Sequence, residues 1–275
     1  MNNNSTILSD RTPDMGSALP LSNPDDVPLE VFLNTFSAAH LARPLPSFDA
    51  HTPDEVLQAA MTRSGVPVVS LRSAGLVCGW RTAEEIARGV PPTSDRPFPQ
   101  QVVDQSASFQ LVISELARSP WLLVRSLEQV NGVIQLADID RPPMRMWLFG
   151  LITVMELRIN RLIEQLLPDD RWTKYLSSGR LQKALGLRDE CQRQGETRRL
   201  VDCLQFADKG RIISCDEDLR RLTRFQTKRQ VETFAFDLQI LRNKLSHALA
   251  LSAEWTTIVD LVNNISRIAQ VRTSV

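Results

Sequence analysis

The apolar and polar positions divide the chain into three stretches with different periodicities. Residues 1 to 28 are rich in Asn, Ser, Asp and Pro, with few apolar residues and no period, which predicts a disordered tail. From about residue 36 to 141, short apolar runs alternate with helical patterns, and the pattern repeats with an offset of 53. Pro67 then meets Pro120, Gly79 meets Gly132, Glu85 meets Asp138 and Ile86 meets Ile139. A helical stretch (55–63, then 109–117) precedes each proline, and a short apolar run follows it (66–71, then 121–124). A second short strand (75–80, then 132–136) leads into an acidic residue that opens a helix. Each unit reads helix–strand–strand–helix. Units this small rarely bury a core alone, so the two are expected to pack together.

Arg141-Pro142-Pro143 closes the repeat, because proline stops a helix arriving from upstream. Beyond it the period is helical. Leu148, Ile152, Met155, Ile159, Leu162, Ile163 and Leu166 recur at steps of three and four and predict a long amphipathic helix ended by Pro168. Shorter helical patterns cover 179–187 and 198–207. A second long helix is expected over 225–251, with Val231, Phe234, Leu238, Leu241 and Leu245 on one stripe, and 255–268 closes the chain. Long helices with short connections indicate a bundle. The fold class is therefore α+β: a disordered 1–28, a repeat module at 29–142 and an all-α domain at 143–275.

Composition adds little to this division. With 275 residues, 43% of them hydrophobic and 23% charged, the chain suits a soluble globular protein with a substantial core. The formal net charge is zero, so there is no global electrostatic case for nucleic acid. Basic residues do crowd 198–229, read either as a solvated helix face or as an RNA-facing stripe. Cys78, Cys191, Cys203 and Cys215 lack metal-ligand spacing and read as free thiols, partly buried. The longest apolar run, 146–155, is too short to span a bilayer, and no signal peptide stands out. These features predict a cytoplasmic protein with no membrane partner.

Two motifs carry candidate chemistry. In the repeats, 79–86 (GWRTAEEI) and 132–139 (GVIQLADI) resemble the closing motif of CBS domains, named after cystathionine β-synthase. In that family the pattern is Gly, two apolar residues, Thr, two variable residues, Asp and an apolar residue. The resemblance spans about 36–141 and implies a tandem CBS pair that binds an adenine nucleotide between its repeats as a regulatory ligand. On that resemblance Thr82, Glu85 and Asp138 are the nucleotide-binding residues. The pattern departs at Glu85, where the family has Asp, and at Gln135, where it has Thr, so the site containing Glu85 is expected to be the tighter. The plainer alternative is that Glu85 and Asp138 sit in the first turns of their helices, where a carboxylate favours the dipole.

The second motif is Arg242-Asn243-Lys244-Leu245-Ser246-His247, which holds the only histidine after His51. It offers a fixed cation that forks onto phosphate and an imidazole able to move a proton near neutral pH. With Glu156 and Arg158 on the first bundle helix, it resembles the HEPN domain, whose ribonuclease members carry Arg, a polar residue, variable residues and His. The resemblance covers about 144–272 and implies a metal-independent endoribonuclease with no cofactor for catalysis. Arg242, Asn243 and His247 would be the catalytic residues, acting on an RNA substrate and sharing a composite cleft across a homodimer. The long apolar stripe from Leu148 to Leu166 is the expected dimer surface. The alternatives are a satisfied, half-buried His247 with Arg242 paired to Asp237 or Glu254, and a non-catalytic regulator whose helices serve dimerisation or partner binding.

Overall fold

The structure is a computed structural model that describes residues 32–91 and 101–269; the expected tail at 1–28 lies outside them. The fold is mixed α+β. Among the described residues, seven short strands form two sheets: β1 (Arg43–Pro44), β2 (Ser47–Asp49), β3 (Val68–Ser73), β4 (Leu76–Thr82), β5 (Val102–Asp104), β6 (Trp121–Ser126) and β7 (Gln129–Gln135). One sheet runs β2-β3-β4 and the other β1-β7-β6-β5. In each, a parallel pair (β2 with β3, β5 with β6) is followed by an antiparallel hairpin.

The repeat is exact in the hairpins. Val68 pairs with Thr82 as Trp121 pairs with Gln135, and the bulges at Leu71/Arg72 and Val124/Arg125 coincide under the same shift of 53. Helices α1 (Asp54–Ser64) and α3 (Phe109–Leu116) precede the hairpins. After them come α2 (Ala83–Ala87) and a 3-10 helix at Leu136–Asp140. Each unit thus begins with a strand that the apolar pattern does not show, since three residues are too few to carry a period of two. Gly132 sits at a close approach: a Cβ there would meet Val124 Cβ at 3.0 Å and Ala42 Cβ at 3.3 Å.

The remaining helices are α4 (Pro142–Leu166), α5 (Ser178–Arg193), α6 (Phe206–Cys215), α7 (Glu217–Leu222), α8 (Lys228–Ser246) and α9 (Trp255–Ala269). Pro142 and Pro143 open α4, where their missing N–H groups cost nothing. The helix expected over 198–207 is instead a 3-10 turn at Leu200–Cys203 and then α6, which starts at Phe206 behind a capping box of Gln205 and Asp208. The helix expected over 225–251 is shorter at both ends, and α7 precedes it.

The hydrophobic interior explains why α4 is the longest element. Its Leu148, Ile152, Met155, Ile159, Leu162 and Ile163 are all buried in the core, so the stripe proposed as a dimer surface is used inside the chain. The same core takes in Phe109, Val112, Ile113 and Leu116 of α3. Phe109 stacks on Phe36 (5.5 Å) and meets Trp147 of α4 edge-on (5.7 Å). The first repeat instead has a small cluster of its own, with Leu57, Met61, Val69 and Leu71. Helices α6 and α8 cross closely at Gly210, where an added Cβ would lie 2.5 Å from Ala235 Cβ.

Candidate functional site

The hairpins and the helices that follow them converge on a cleft of about 830 Å³ between the repeats. Its lining includes positions related by the repeat: Pro67 with Pro120, Thr82 with Gln135, Ala83 with Leu136 and Glu84 with Ala137. Trp80 and Trp121 stand in it with ring centroids 6.2 Å apart. Neither tryptophan was legible as a site residue, although their place beside the hairpin pairs Ser70–Trp80 and Trp121–Gln135 puts both in the cleft.

Of the three residues expected to bind a nucleotide, Thr82 and Glu85 line this cleft. They also cap α2: Thr82 Oγ1 accepts from the Glu85 N–H (3.2 Å), and Glu85 Oε2 accepts from the Thr82 N–H (3.0 Å). Asp138 is buried at 4% exposure and does not line the cleft. Its Oδ2 accepts from the Gln135 N–H (2.8 Å) and its Oδ1 pairs with Arg43 (3.2 Å). Asp138 therefore serves its own helix and the neighbouring strand. Gln135 donates from Nε2 to the Gly65 carbonyl (2.9 Å), tying the second repeat to the first across the cleft. Among the described residues the lining holds one cation, Arg88, which pairs with Glu84 at 2.5 Å.

In the helical part, Arg242 lies 3.7 Å from Glu156 Oε2 and 5.9 Å over the Phe206 ring. Its partner is Glu156 on α4, and not Asp237 or Glu254; Glu254 pairs with Lys244 at 2.5 Å. Glu156 Oε1 also accepts from Lys209 (2.6 Å), a lysine at 1% exposure whose pKa burial pushes down. The carboxylate thus bridges two cations. Asn243 and His247 are exposed. Helix α8 ends at Ser246 and His247 is its C-cap, so the imidazole stands on the turn rather than on a helical ridge.

That turn is held by α4. Arg145 donates from Nη1 to the Leu249 carbonyl (2.8 Å) and from Nη2 to those of Lys244 and Leu245 (both 3.3 Å). Asp140 Oδ1 accepts from the Leu251 N–H (2.6 Å). Several cations of 198–229 are taken up within the bundle: Arg199 by Glu164 and Asp202, Arg221 by Glu217, Lys209 by Glu156. Among the described residues no cluster of three or more His, Cys, Asp or Glu is placed to hold a metal, and no helix is long and apolar enough to cross a membrane.

No protein-family model and no curated protein matches the chain. Similar solved structures include a CBS domain pair in complex with 5′-methylthioadenosine and S-adenosyl-L-methionine. That pair is 11% identical, covering 38% of this chain and 98% of that one, with a TM-score of 0.33. An uncharacterised conserved protein from Pyrococcus horikoshii is 17% identical over 38% of this chain and 90% of its own, with a TM-score of 0.32. Hypoxic Response Protein I with two coordinated zinc ions is 17% identical over 39% and 98%, with a TM-score of 0.30. These likenesses fall on the N-terminal repeats.

Proposed function

We propose that the chain is a ligand-sensing protein whose repeat module binds an adenosine-type molecule and whose helical domain delivers the output. The observation that carries this reading is the inter-repeat cleft, in which two indoles meet the capped start of α2. Indole faces suit a purine ring, and Thr82 and Glu85 suit ribose hydroxyls. Among the described residues the lining sets two carboxylates against one cation, which favours a nucleoside or a ligand of low negative charge over a triphosphate. Asp138, engaged as it is, adds nothing to this site, whose acidic members are Glu85 and the Arg88-paired Glu84. Calorimetry with adenosine, AMP and ATP on the whole chain tests this. Adenosine and AMP are expected to bind more tightly than ATP, and Trp121→Ala to weaken them. No binding by any of the three overturns the reading.

The output reading is metal-independent RNA cleavage, supported by the exposure of Asn243 and His247 beside an anchored Arg242. The RNA 2′-hydroxyl attacks the adjacent phosphorus and the bond to the 5′-oxygen breaks, leaving a 2′,3′-cyclic phosphate and a 5′-hydroxyl. His247 moves the proton between these oxygens, Arg242 stabilises the phosphoryl charge and Asn243 orients the imidazole or binds a phosphate oxygen. A homodimer would bring two such motifs into one cleft. Exposed Met146, Phe149 and Leu157 provide its surface, because they flank Arg145 and Glu156, the α4 residues that reach α8. Cleavage of mixed RNA in chelator, compared with His247→Ala, decides the chemistry. Equal activity in both proteins sinks it and leaves a non-catalytic regulator.

A further inference from the structure

We propose that the 3-10 helix Leu136–Asp140 transmits occupancy of the cleft to the turn that carries His247, with Asp140 and Arg145 as the connecting side chains. The proposal rests on the reading that the cleft takes a ligand, and extends it to how binding is felt elsewhere. The helix touches both places. Gln135, Leu136 and Ala137, at its start, line the cleft. Asp140, at its end, accepts from the Leu251 N–H. At the rise of a 3-10 helix, five residues span only about 10 Å.

The connection is stiff. Asp138 fixes the helix from within, one oxygen on the Gln135 N–H and the other on Arg43, and Ile139 is buried in the main core. A displacement at Ala137 is therefore carried to Asp140 rather than absorbed between them. Arg145 stands 3.9 Å from Asp140 and donates to three carbonyls on either side of His247. Two of these carbonyls, Lys244 and Leu245, lie in the last turn of α8, where a cation is favoured, and the third lies just beyond it.

The turn closes on itself through backbone bonds, the Ala248 N–H donating to the Leu245 carbonyl (3.4 Å) and the Leu249 N–H to that of Lys244 (3.1 Å), and Arg145 and Asp140 tie it to the rest of the chain. Ala248 has a φ of 53°, a left-handed conformation that alanine adopts only under constraint. His247, Ala248, Leu249 and Ala250 are all exposed, and Leu251 is the first residue after them to reach the core. Shifting Asp140 thus alters the one side-chain bond that anchors Leu251, and with it the placement of His247.

Hydrogen exchange of the 244–251 segment in the whole chain tests this, with adenosine as ligand and Ala137→Trp as a ligand-free filling of the cleft. Each is expected to change exchange at Leu251 by about fivefold, the equilibrium weight of one net hydrogen bond. Asp140→Ala should abolish both responses while calorimetry still records adenosine binding. If adenosine binds and neither perturbation changes exchange, or if the responses survive in Asp140→Ala, the relay is overturned and the cleft reading stands. If adenosine fails to bind but folded Ala137→Trp gives the response, the relay stands and the ligand assignment falls. Silence in both arms overturns both.

Discussion

The two repeats share a hairpin register to the residue, yet they are held in place by different physics. At the start of α1 stands Asp54, paired at 2.9 Å with Arg81, an arginine at 2% exposure on β4. In the second repeat the position of β7 that matches Arg81 is Ile134, and the residue that opens α3 is Phe109, both fully buried. Where one copy has an ion pair, the other has buried apolar side chains. The first repeat keeps a four-residue cluster to itself and shares another, through Val66 and Val68, with the second repeat, whereas the second opens its helix into the core of the bundle. Identical topology therefore does not imply equal coupling: the second copy is tied to the rest of the chain and the first rests against it.

The largest test of this difference is Phe109→Ala. Removing a ring that contacts Phe36 and Trp147 should cost about 3–5 kcal/mol, and thermal unfolding should shift as a whole, bundle included. Leu57→Ala, in the cluster of the first repeat, should cost about 2 kcal/mol, the low end for such a truncation in a thin cluster. Its effect should appear as faster hydrogen exchange in α1 and β3 with α4 unchanged. Equal exchange changes in α4 for both variants would remove the distinction. Asp54→Ala comes next. It leaves the buried Arg81 guanidinium without its partner at a half-exposed position, costing about 1–2 kcal/mol, while Asp54→Leu combined with Arg81→Met should restore stability.

The smallest effect concerns a second buried cation, Lys209, which differs from Arg81 because it can lose its proton. Burial lowers its pKa in the folded chain, so between that lowered value and the ordinary lysine value of about 10.4 the unfolded state binds more protons. Stability should therefore rise with pH across this window from this group. Lys209→Met should flatten the rise in denaturant titrations at alkaline pH, leaving the neutral midpoint nearly unchanged. A rise of the same slope in the variant would assign it to other groups.

The repeat was legible because its markers are single, unmistakable residues: Pro67 and Pro120 before the hairpins, and Gly79 and Gly132 within them. The opening strands were not, being three residues long. Glu85 and Asp138 were ambiguous for a physical reason, since a carboxylate three residues into a helix serves a cap and a ligand equally well. Only burial and the Arg43 contact separate Asp138 from the cleft. The Arg145 and Asp140 bonds join residues about a hundred apart and end on backbone atoms, which leave no trace in side-chain patterning. The long apolar stripe of α4 misled for the opposite reason. Amphipathicity says that a face is covered, and here the cover is the chain's own core.

The crossing at Gly210 gives α8 the mechanics of a cantilever. With no room for even a methyl group between Gly210 and Ala235, helix α8 is clamped against α6 near its middle and cannot roll or slide there. Leu238 and Leu241 carry the clamp on toward the C-terminal end, both buried in the core. Past them the last turn, from Arg242 to Ser246, holds no buried residue before the helix ends. The overhang is short, and at its tip Arg145 grips and His247 stands.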